Sequence, residues 1–487
     1  MGLDHLAWIA LVPLFAAAVG TGLRAGLLLG WTAGIVIEAG GFVWILLAIK
    51  RFTSMPWPLA SACFLAWLLY SSLSWGLLGC ALGGCRRPRG VLWVLPLWVG
   101  VEHLFPRLFP WHLGGAFYGR EDLLQCADLV GASGLTALVF LSSAVGYLWL
   151  SAFRGQSRRP WFSSLALAAL IAGALVYGSR RGEAVREAER AAPELRVLLV
   201  QGAIHPLSGD EEELGWYLDT TRRALGESPA DLVVWPEGVD PCYFDLTSGR
   251  DPWGFHRQAG GPCLDLRASP PSAPLITGGS GFDARRSPQI SNLVAYIAPG
   301  QRLRFYEKNI RFPFGEVVPF LDLLPRSTIE ALGLRVRTIA RGEGNPAFTL
   351  GDLTFRNLIC YEAIFPDYYT TSARDADFLV NATEDMWYGW TAQIPQQASV
   401  LVLRAVETRT ALVRATNVGP SGVIDASGEF HTGRRIFAPE VIRASLRPVR
   451  IATLYESWGR FVPLGLLVIA IGRWGVSTAL ARRRRSR

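Results

Sequence analysis

The chain has 487 residues, of which 50% are hydrophobic and only 18% charged, and its formal net charge is +8. This composition is too apolar for a purely water-soluble protein, and the length is sufficient for two or three domains. Charged side chains are rare in residues 1–85, whereas most Asp and Glu residues fall between 183 and 440. The sequence therefore predicts a membrane part followed by a water-exposed part.

Seven apolar stretches are candidates for membrane spans, at about 6–21, 25–49, 58–80, 91–105, 124–152, 161–178 and 461–481. A helix needs about 20 apolar residues to cross a bilayer, and the fourth stretch is the weakest because Glu102 and His103 lie near its end. We predict a transmembrane helix bundle of about six spans in residues 1–180. A C-terminal transmembrane helix with a basic tail is predicted in residues 457–487.

Arginine clusters predict the orientation of these spans. They lie at 86–89, between the third and fourth stretches, at 154–159, between the fifth and sixth, and at 482–487. The positive-inside rule places all three clusters in the cytoplasm, so residues 180–455 are expected on the opposite side of the membrane. With seven spans, Met1 also lies outside. A cleaved signal peptide is the less favoured alternative, because no basic residue precedes the first stretch.

Strand-like and helical patterns alternate between residues 195 and 450. Apolar runs typical of strands occur at 196–200, 231–235, 357–360 and 377–380, and helical periodicity occurs at about 210–226 and 393–409. Buried strands of this kind predict sheets covered by helices. Glu237 and Cys360 each follow such a run, and catalytic groups in layered α/β folds often lie at strand ends.

Lysine is used at only two of the 48 basic positions, Lys50 and Lys308. A lysine in such a background indicates a site that needs a compact ammonium, although coding bias is the alternative explanation. In chain order, Glu237, Lys308 and Cys360 supply a carboxylate, an ammonium and a thiol. This set predicts covalent thiol catalysis, with a general base, an electrostatic stabiliser of the oxyanion and a nucleophile.

The sequence contains neither a metal-ligand spacing nor a nucleotide-binding loop. The seven cysteines contain no CxxC pair, the six histidines form no ligand cluster, and a Walker A loop is absent. We therefore predict neither a metal nor a cofactor. Cys242 and Cys263 lie in the part that is predicted to be exported, where a disulfide between them is an open alternative.

Several short motifs surround the candidate catalytic residues. They are Trp235-Pro236-Glu237, Tyr306-Glu307-Lys308 with Pro313-Phe314-Gly315-Glu316, and Ile359-Cys360-Tyr361-Glu362. In their order and spacing these motifs resemble those of the nitrilase superfamily. An apolar N-terminal bundle and one C-terminal span enclose this region. In that arrangement the chain resembles, over nearly its whole length, the membrane-embedded branch of the superfamily, the apolipoprotein N-acyltransferases.

The resemblance implies a four-layer αββα nitrilase-like sandwich, at residues 195–450, attached to an α-helical transmembrane bundle in the bacterial inner membrane. The implied reaction moves an acyl chain from a phospholipid, through a cysteine thioester, to the N-terminal amine of a diacylglyceryl-cysteine lipoprotein. We expect a monomer that does not bind nucleic acid. By motif match Glu237 is the base, Lys308 the oxyanion partner and Cys360 the nucleophile. The supporting residues are Glu316, Tyr361 and Glu362.

This chain departs from the family pattern beyond the triad. It has Glu384-Asp385-Met386-Trp387-Tyr388-Gly389 where the family usually has Asn-Asp-x-Trp-Phe-Gly, and Gln396-Gln397 where it usually has Gln-His. These differences keep a second function open, that of a membrane-bound amidase or an acyltransferase for another amine. A catalytically silent scaffold is a third, which the complete triad disfavours.

Apolar side chains near the predicted site fit a lipid substrate. We predict acyl-chain contacts from Phe314, Val318, Phe320, Trp387, Tyr388 and Trp390. The alternative for each is a place in the protein core.

Overall fold

The computed structural model describes residues 4–53, 55–204, 211–239, 243–247, 255–256, 272–317 and 338–485. The chain divides into two compact units, which we call the helical unit, residues 1–43, 62–184 and 452–487, and the α/β unit, residues 44–61 and 185–451. Four sequence predictions fall outside the described residues. They are the disulfide partners Cys242 and Cys263 and the lipid contacts Val318 and Phe320.

Helices account for nearly all of the regular structure before residue 191. In chain order they are α1 (Val12–Ala18), α2 (Leu23–Phe42), α3 (Trp44–Thr53), α4 (Trp57–Ser71), α5 (Leu73–Gly83), α6 (Leu95–Leu104), α7 (Glu121–Leu124), α8 (Ala127–Phe153) and α9 (Trp161–Ala191).

Four helical segments among the described residues are long and apolar enough to cross a membrane. They are Leu23–Phe42, Trp57–Gly83, Ala127–Phe153 and Trp161–Ala191, and they identify the chain as a membrane protein. The stretches at 6–21 and 91–105 contain the shorter α1 and α6, of 7 and 10 residues. These lengths are below the roughly 20 residues that a spanning helix needs.

A stripe of glycines joins α2 to α5 in the helical unit. A Cβ added to Gly30 would lie 2.2 Å from the Trp75 carbonyl oxygen, and one added to Gly79 would lie 2.2 Å from the Gly26 carbonyl oxygen. Glycines therefore let the two backbones touch. Close approach through small residues is a common way for helices to associate in a membrane, where burial in lipid gives no net hydrophobic gain.

The predicted second span, at 25–49, is two helices rather than one. Helix α2 ends at Phe42, and α3 starts at Trp44 and belongs to the α/β unit. The indole Nε1 of Trp44 donates to Gln396 Oε1 at 2.9 Å, and its ring lies 5.5 Å from that of Tyr388. The apolar character of α3 therefore reflects packing within the α/β unit.

The first sheet of the α/β unit has the order β14-β1-β2-β5-β3-β4, with β6 paired to β5 and β7 paired to β6. Its strands are β1 (Leu195–Gln201), β2 (Leu232–Val234), β3 (Tyr243–Asp245), β4 (Phe255–His256), β5 (Leu275–Phe282), β6 (Ile290–Ile297), β7 (Arg304–Glu307) and β14 (Glu440–Leu446). The sheet is mixed, since β1 is parallel to β2 and antiparallel to β14.

The second sheet has the order β13-β12-β11-β10-β9-β8. Its strands are β8 (Phe348–Leu350), β9 (Leu353–Ile359), β10 (Phe378–Thr383), β11 (Ala411–Thr416), β12 (Gly422–Ile424) and β13 (Phe430–Thr432). Every residue of β10 and β11 is buried, as expected for parallel strands that are covered on both faces.

Packing between these elements gives four layers. Helix α10 (Glu211–Glu227) covers the first sheet, where Trp235 Nε1 donates to Thr221 Oγ1 at 3.0 Å. Between the sheets, the ring of Tyr296 on β6 lies 5.9 Å from Phe348 and 5.3 Å from Phe355. Helices α11 (Pro366–Ala373) and α12 (Gln393–Thr408) belong to the other outer layer. The predicted αββα sandwich is confirmed.

Two helices close the chain, α13 (Leu454–Ser457) and α14 (Val462–Arg485), and α14 coincides with the predicted C-terminal span at 461–481.

Candidate active site

Each of the three predicted catalytic residues lies just beyond a strand. Glu237 follows β2, Lys308 directly follows β7 at Glu307, and Cys360 directly follows β9 at Ile359. All three are buried, with exposed fractions of 9%, 1% and 6%. The strand-end positions predicted for Glu237 and Cys360 are therefore confirmed, and Lys308 likewise lies at the end of a strand.

The Lys308 ammonium lies between two carboxylates. Its Nζ donates to Glu316 Oε1 at 2.7 Å and to Glu237 Oε1 at 3.2 Å. Burial alone would lower the pKa of Lys308, but the charges of Glu237 and Glu316 outweigh it and raise the pKa well above its usual value. Lys308 is therefore a fixed cation in this site.

Further donors hold the two carboxylates in place. Asn292 Nδ2 donates to Glu237 Oε1 at 2.6 Å and to Glu316 Oε1 at 3.1 Å. The remaining oxygens accept backbone N–H groups, Glu237 Oε2 from Glu384 at 3.0 Å and Glu316 Oε2 from Phe312 at 2.8 Å. Asn292 is not among the site residues predicted from the sequence. In the sequence, Asn292 could have been recognised as a polar residue within the apolar run that forms β6.

Cys360 is held in a backbone conformation that non-glycine residues rarely adopt, with a φ of 49°. It begins the 3-10 helix Cys360–Ile364, and its carbonyl oxygen accepts from Asn381 Nδ2 at 3.2 Å and from Gln397 Nε2 at 3.5 Å. Such strain persists only where the surrounding structure fixes it, and it is common at reactive residues.

The thiol of Cys360 is protonated in this resting arrangement. Burial raises its pKa far above the usual value, the charge of Glu237 raises it further, and the charge of Lys308 opposes both. A nucleophilic thiolate therefore has to be generated by proton transfer to a nearby base.

Glu362 supports the site through the backbone. Its Oε1 accepts the N–H groups of Asn309 at 2.5 Å and Ile310 at 2.9 Å, and its Oε2 accepts that of Ile359 at 2.8 Å and the Tyr306 hydroxyl at 2.6 Å. Burial raises the pKa of Glu362 to about 7, against these hydrogen bonds. One carboxyl thus joins the segment after Lys308 to the residue before Cys360.

An aromatic cluster includes the residue that follows Cys360. It consists of Phe52 on α3, Phe312, Tyr361, Trp387 and Tyr388, all in the α/β unit. The Tyr361 ring lies 5.1 Å from that of Phe312, and the Phe312 ring lies 5.2 Å from that of Phe52. Rings therefore extend without interruption from the neighbour of Cys360 to α3.

The predicted lipid contacts differ from one another in exposure. Tyr388 is only 3% exposed and packs as core, whereas Trp390 is 77% exposed and stacks on Phe437 at 4.3 Å. Trp387 packs on Phe52 at 5.1 Å, and Phe314 is half-buried with a φ of 68°.

Both departures from the family pattern lie at the site. The backbone N–H of Glu384 contacts Glu237, and its own carboxyl accepts from Asn417 Nδ2 at 2.8 Å and from the Met386 N–H at 2.8 Å. Burial, with the charge of Glu237, raises the pKa of Glu384 well above its usual value. Gln397 reaches the carbonyl oxygen of the cysteine, as described above.

Two family models match different parts of the chain. A model described as "Apolipoprotein N-acyltransferase N-terminal domain" matches residues 1–145, and one described as "Carbon-nitrogen hydrolase" matches residues 196–455. Among solved structures, a mutant amidase of the nitrilase superfamily from Nesterenkonia AN1 aligns with a TM-score of 0.38 and 18% identity, over 54% of this chain and 93% of that chain.

Relatives named apolipoprotein N-acyltransferase match over the whole length. The protein of Geobacter metallireducens is 29% identical, covering 100% of this chain and 92% of its own. The proteins of Bdellovibrio bacteriovorus and Azotobacter vinelandii are 28% and 29% identical, covering 94% and 99% of this chain and 87% and 92% of their own. The chain therefore belongs to the carbon-nitrogen hydrolase superfamily, within its branch of apolipoprotein N-acyltransferases.

Proposed function

We propose that Glu237, Lys308 and Cys360 transfer an acyl chain from a phospholipid to the N-terminal amine of a diacylglyceryl-cysteine lipoprotein. The observation that carries the proposal is the Lys308 ammonium, fixed between two carboxylates beside a buried, protonated thiol. This set contains a base, a cation and a nucleophile, which are the groups that a thioester mechanism requires. The full-length relatives are named apolipoprotein N-acyltransferase, which supports an apolipoprotein amine as the acceptor. The phospholipid donor is what the family resemblance implies.

In the first half-reaction, Glu237 takes the proton of the Cys360 thiol as sulfur attacks the ester carbonyl carbon of the phospholipid. A C–S bond forms, and Lys308 stabilises the negative charge that develops on the carbonyl oxygen. The C–O bond then breaks, and Glu237 returns its proton to the departing lysophospholipid oxygen. The acyl chain remains on Cys360 as a thioester.

In the second half-reaction, the lipoprotein amine attacks the thioester carbonyl. Glu237 now accepts a proton from the amine, the C–S bond breaks, and the proton passes to the departing sulfur of Cys360. The products are an amide on the lipoprotein and the original thiol. No histidine is among the described residues that hydrogen-bond to Glu237 and Lys308. Glu237 therefore serves as the base in both half-reactions.

Complementation tests this function in cells. Expression of the chain in bacteria depleted of their own N-acyltransferase should restore triacylated lipoproteins, which mass spectrometry of lipoprotein N-termini detects. Diacylated lipoproteins alone, at equal membrane levels of the chain, would contradict the proposal. With purified protein, hydrolysis of an amide substrate by water, without an amine acceptor, would instead support the amidase alternative.

The proposed side of the α/β unit gives a topology prediction. We propose that this unit lies outside the cytoplasm and that the C-terminal basic tail lies inside, because the arginine clusters predict that orientation. Alkaline phosphatase should therefore be active when fused near Ser248 and inactive when fused after Arg487. The opposite pair of activities would place the site away from exported lipoproteins.

A further inference from the structure

Arg51, the residue before Phe52, places a positive charge at the aromatic cluster. Arg51 is exposed, and its Nη1 donates to the Trp387 carbonyl oxygen at 2.8 Å. Both residues belong to the α/β unit. The guanidinium therefore lies next to rings that extend to the neighbour of Cys360.

Gly389 provides the space that this guanidinium occupies. A Cβ added to Gly389 would lie 2.6 Å from Arg51 Nη1 and 3.0 Å from Nη2, and the residue has a φ of 60° that favours glycine. The turn after Trp387 and Tyr388 thus leaves space at Gly389 for the Arg51 guanidinium. Its position is fixed by a hydrogen bond and by shape.

Most of the donor capacity of Arg51 remains available for a ligand. A guanidinium has five N–H donors, and one is used on Trp387. Within the described part of the chain no carboxylate is paired with Arg51, whereas at least eleven pairs there join another arginine to a carboxylate. An exposed, unneutralised fork of this kind suits a phosphate, which it contacts through two parallel hydrogen bonds.

We propose that Arg51 binds the phosphodiester of the acyl-donor phospholipid while the ester of that lipid lies at Cys360. This inference rests on the proposed function and adds the residue that recognises the donor. In a glycerophospholipid only a few bonds separate the ester from the phosphate. A series of ring contacts, Trp387–Phe52–Phe312–Tyr361, joins the residue that Arg51 contacts to the neighbour of Cys360. The acceptor carries no phosphate, so Arg51 would favour the donor alone.

Kinetics with two acyl donors test the proposal in the full-length protein. Acyl-enzyme formation is followed by intact mass with phosphatidylglycerol and with p-nitrophenyl palmitate, an ester without phosphate. Arg51→Gln should raise the concentration needed for half-maximal rate about 10- to 100-fold for phosphatidylglycerol, the usual range for a hydrogen bond to a charged group, and leave the other donor unchanged. Arg51→Lys should recover part of the loss.

A control variant on another exposed arginine shows whether the effect is specific to Arg51. Arg222→Gln removes an arginine that is 44% exposed on α10, and it should change neither donor. An equal loss of both donors with Arg51→Gln would mean that Arg51 only supports the Trp387 turn, and no loss would mean that it does not contact the lipid. Either result overturns the proposal.

A binding measurement separates this inference from the proposed chemistry. In the Cys360→Ala protein, Arg51→Gln should weaken binding of a short-chain phosphatidylglycerol about tenfold or more and leave the matching diacylglycerol unaffected. Failure of the wild type to form an adduct with either donor would reject the thioester mechanism. The binding comparison would still decide the role of Arg51.

Discussion

Replacement of Cys360 by alanine is expected to abolish the covalent acyl adduct while the protein remains folded and membrane-inserted. Without Sγ no thioester can form, and none of the neighbouring carboxylates replaces it as a stable acyl carrier. Intact-mass spectra after incubation with phospholipid should show the adduct on wild type alone. The change deletes one atom from a buried position, so the loss of folding free energy should be small.

Backbone contacts explain why the alanine variant should keep the site geometry. The strained conformation of Cys360 is fixed at its carbonyl oxygen by Asn381 and Gln397, and at the preceding N–H of Ile359 by Glu362. None of these bonds involves the thiol. Thermal unfolding and membrane fractionation of Cys360→Ala should therefore match the wild type.

Cys63→Ala provides the matched control, because Cys63 is another free, half-buried cysteine, and it lies on α4. That variant should acquire the adduct at the wild-type rate. An adduct of equal yield on Cys360→Ala would reject Cys360 as the nucleophile.

Strand-end residues could be predicted from the sequence because a buried parallel strand is an apolar run with a visible end. Glu237 and Cys360 follow two such runs, and the structure places each just beyond its strand. Lys308 was recognised by a different signal, the scarcity of lysine among 48 basic residues. In each of these cases the information is local in the chain.

The contacts that tune the site are not local and could not be predicted in this way. Asn292 on β6 meets Glu316 because β6 lies beside β7, and it meets Glu237 because β5 brings β2 to the other side of β6. The Glu384 N–H meets Glu237 across the two sheets. A single sequence records the residue types but not these distances. The polar residue in an apolar strand was a usable signal for Asn292, whereas a backbone donor leaves none.

Hydropathy also misassigned the role of α3. A helix that packs on aromatic rings and a helix that faces lipid have similar compositions, so the run at 25–49 was predicted as one membrane span. The hydrogen bond from Trp44 to Gln396 and the ring contacts of Phe52 distinguish the two cases. Tyr388 illustrates the same ambiguity, since it is apolar enough for a lipid contact and lies in the core.

Replacement of Lys308 by arginine should lower the acyl-transfer rate nearly as much as replacement by alanine. The ammonium fits between two carboxylate oxygens at 2.7 and 3.2 Å, and Asn292 already donates to the same two oxygens. A guanidinium is wider and planar, and with 1% of the residue exposed it has no solvent into which to extend. We expect acyl-transfer rates to fall on the order of 100- to 1000-fold, the usual effect of losing one such electrostatic group.

The Lys308→Ala substitution affects the Glu237 and Glu316 carboxylates in a different way. Without the ammonium, the Asn292 amide is the one common donor left to the Glu237 and Glu316 oxygens among the described residues, so Glu237 loses the cation that holds its carboxylate in place. The alanine variant therefore loses the stabiliser of the oxyanion together with a contact that positions the base.

Lys50→Arg is the matched control for the lysine-to-arginine change. Lys50 is only partly buried, with Nζ 5.9 Å from the centre of the Trp57 ring, and arginine makes the same kind of contact with an aromatic face. Its acyl-transfer rate, measured at matched membrane levels, should equal that of the wild type. Wild-type activity in Lys308→Arg would instead mean that any positive charge suffices at this position, and that coding bias explains why lysine occurs there.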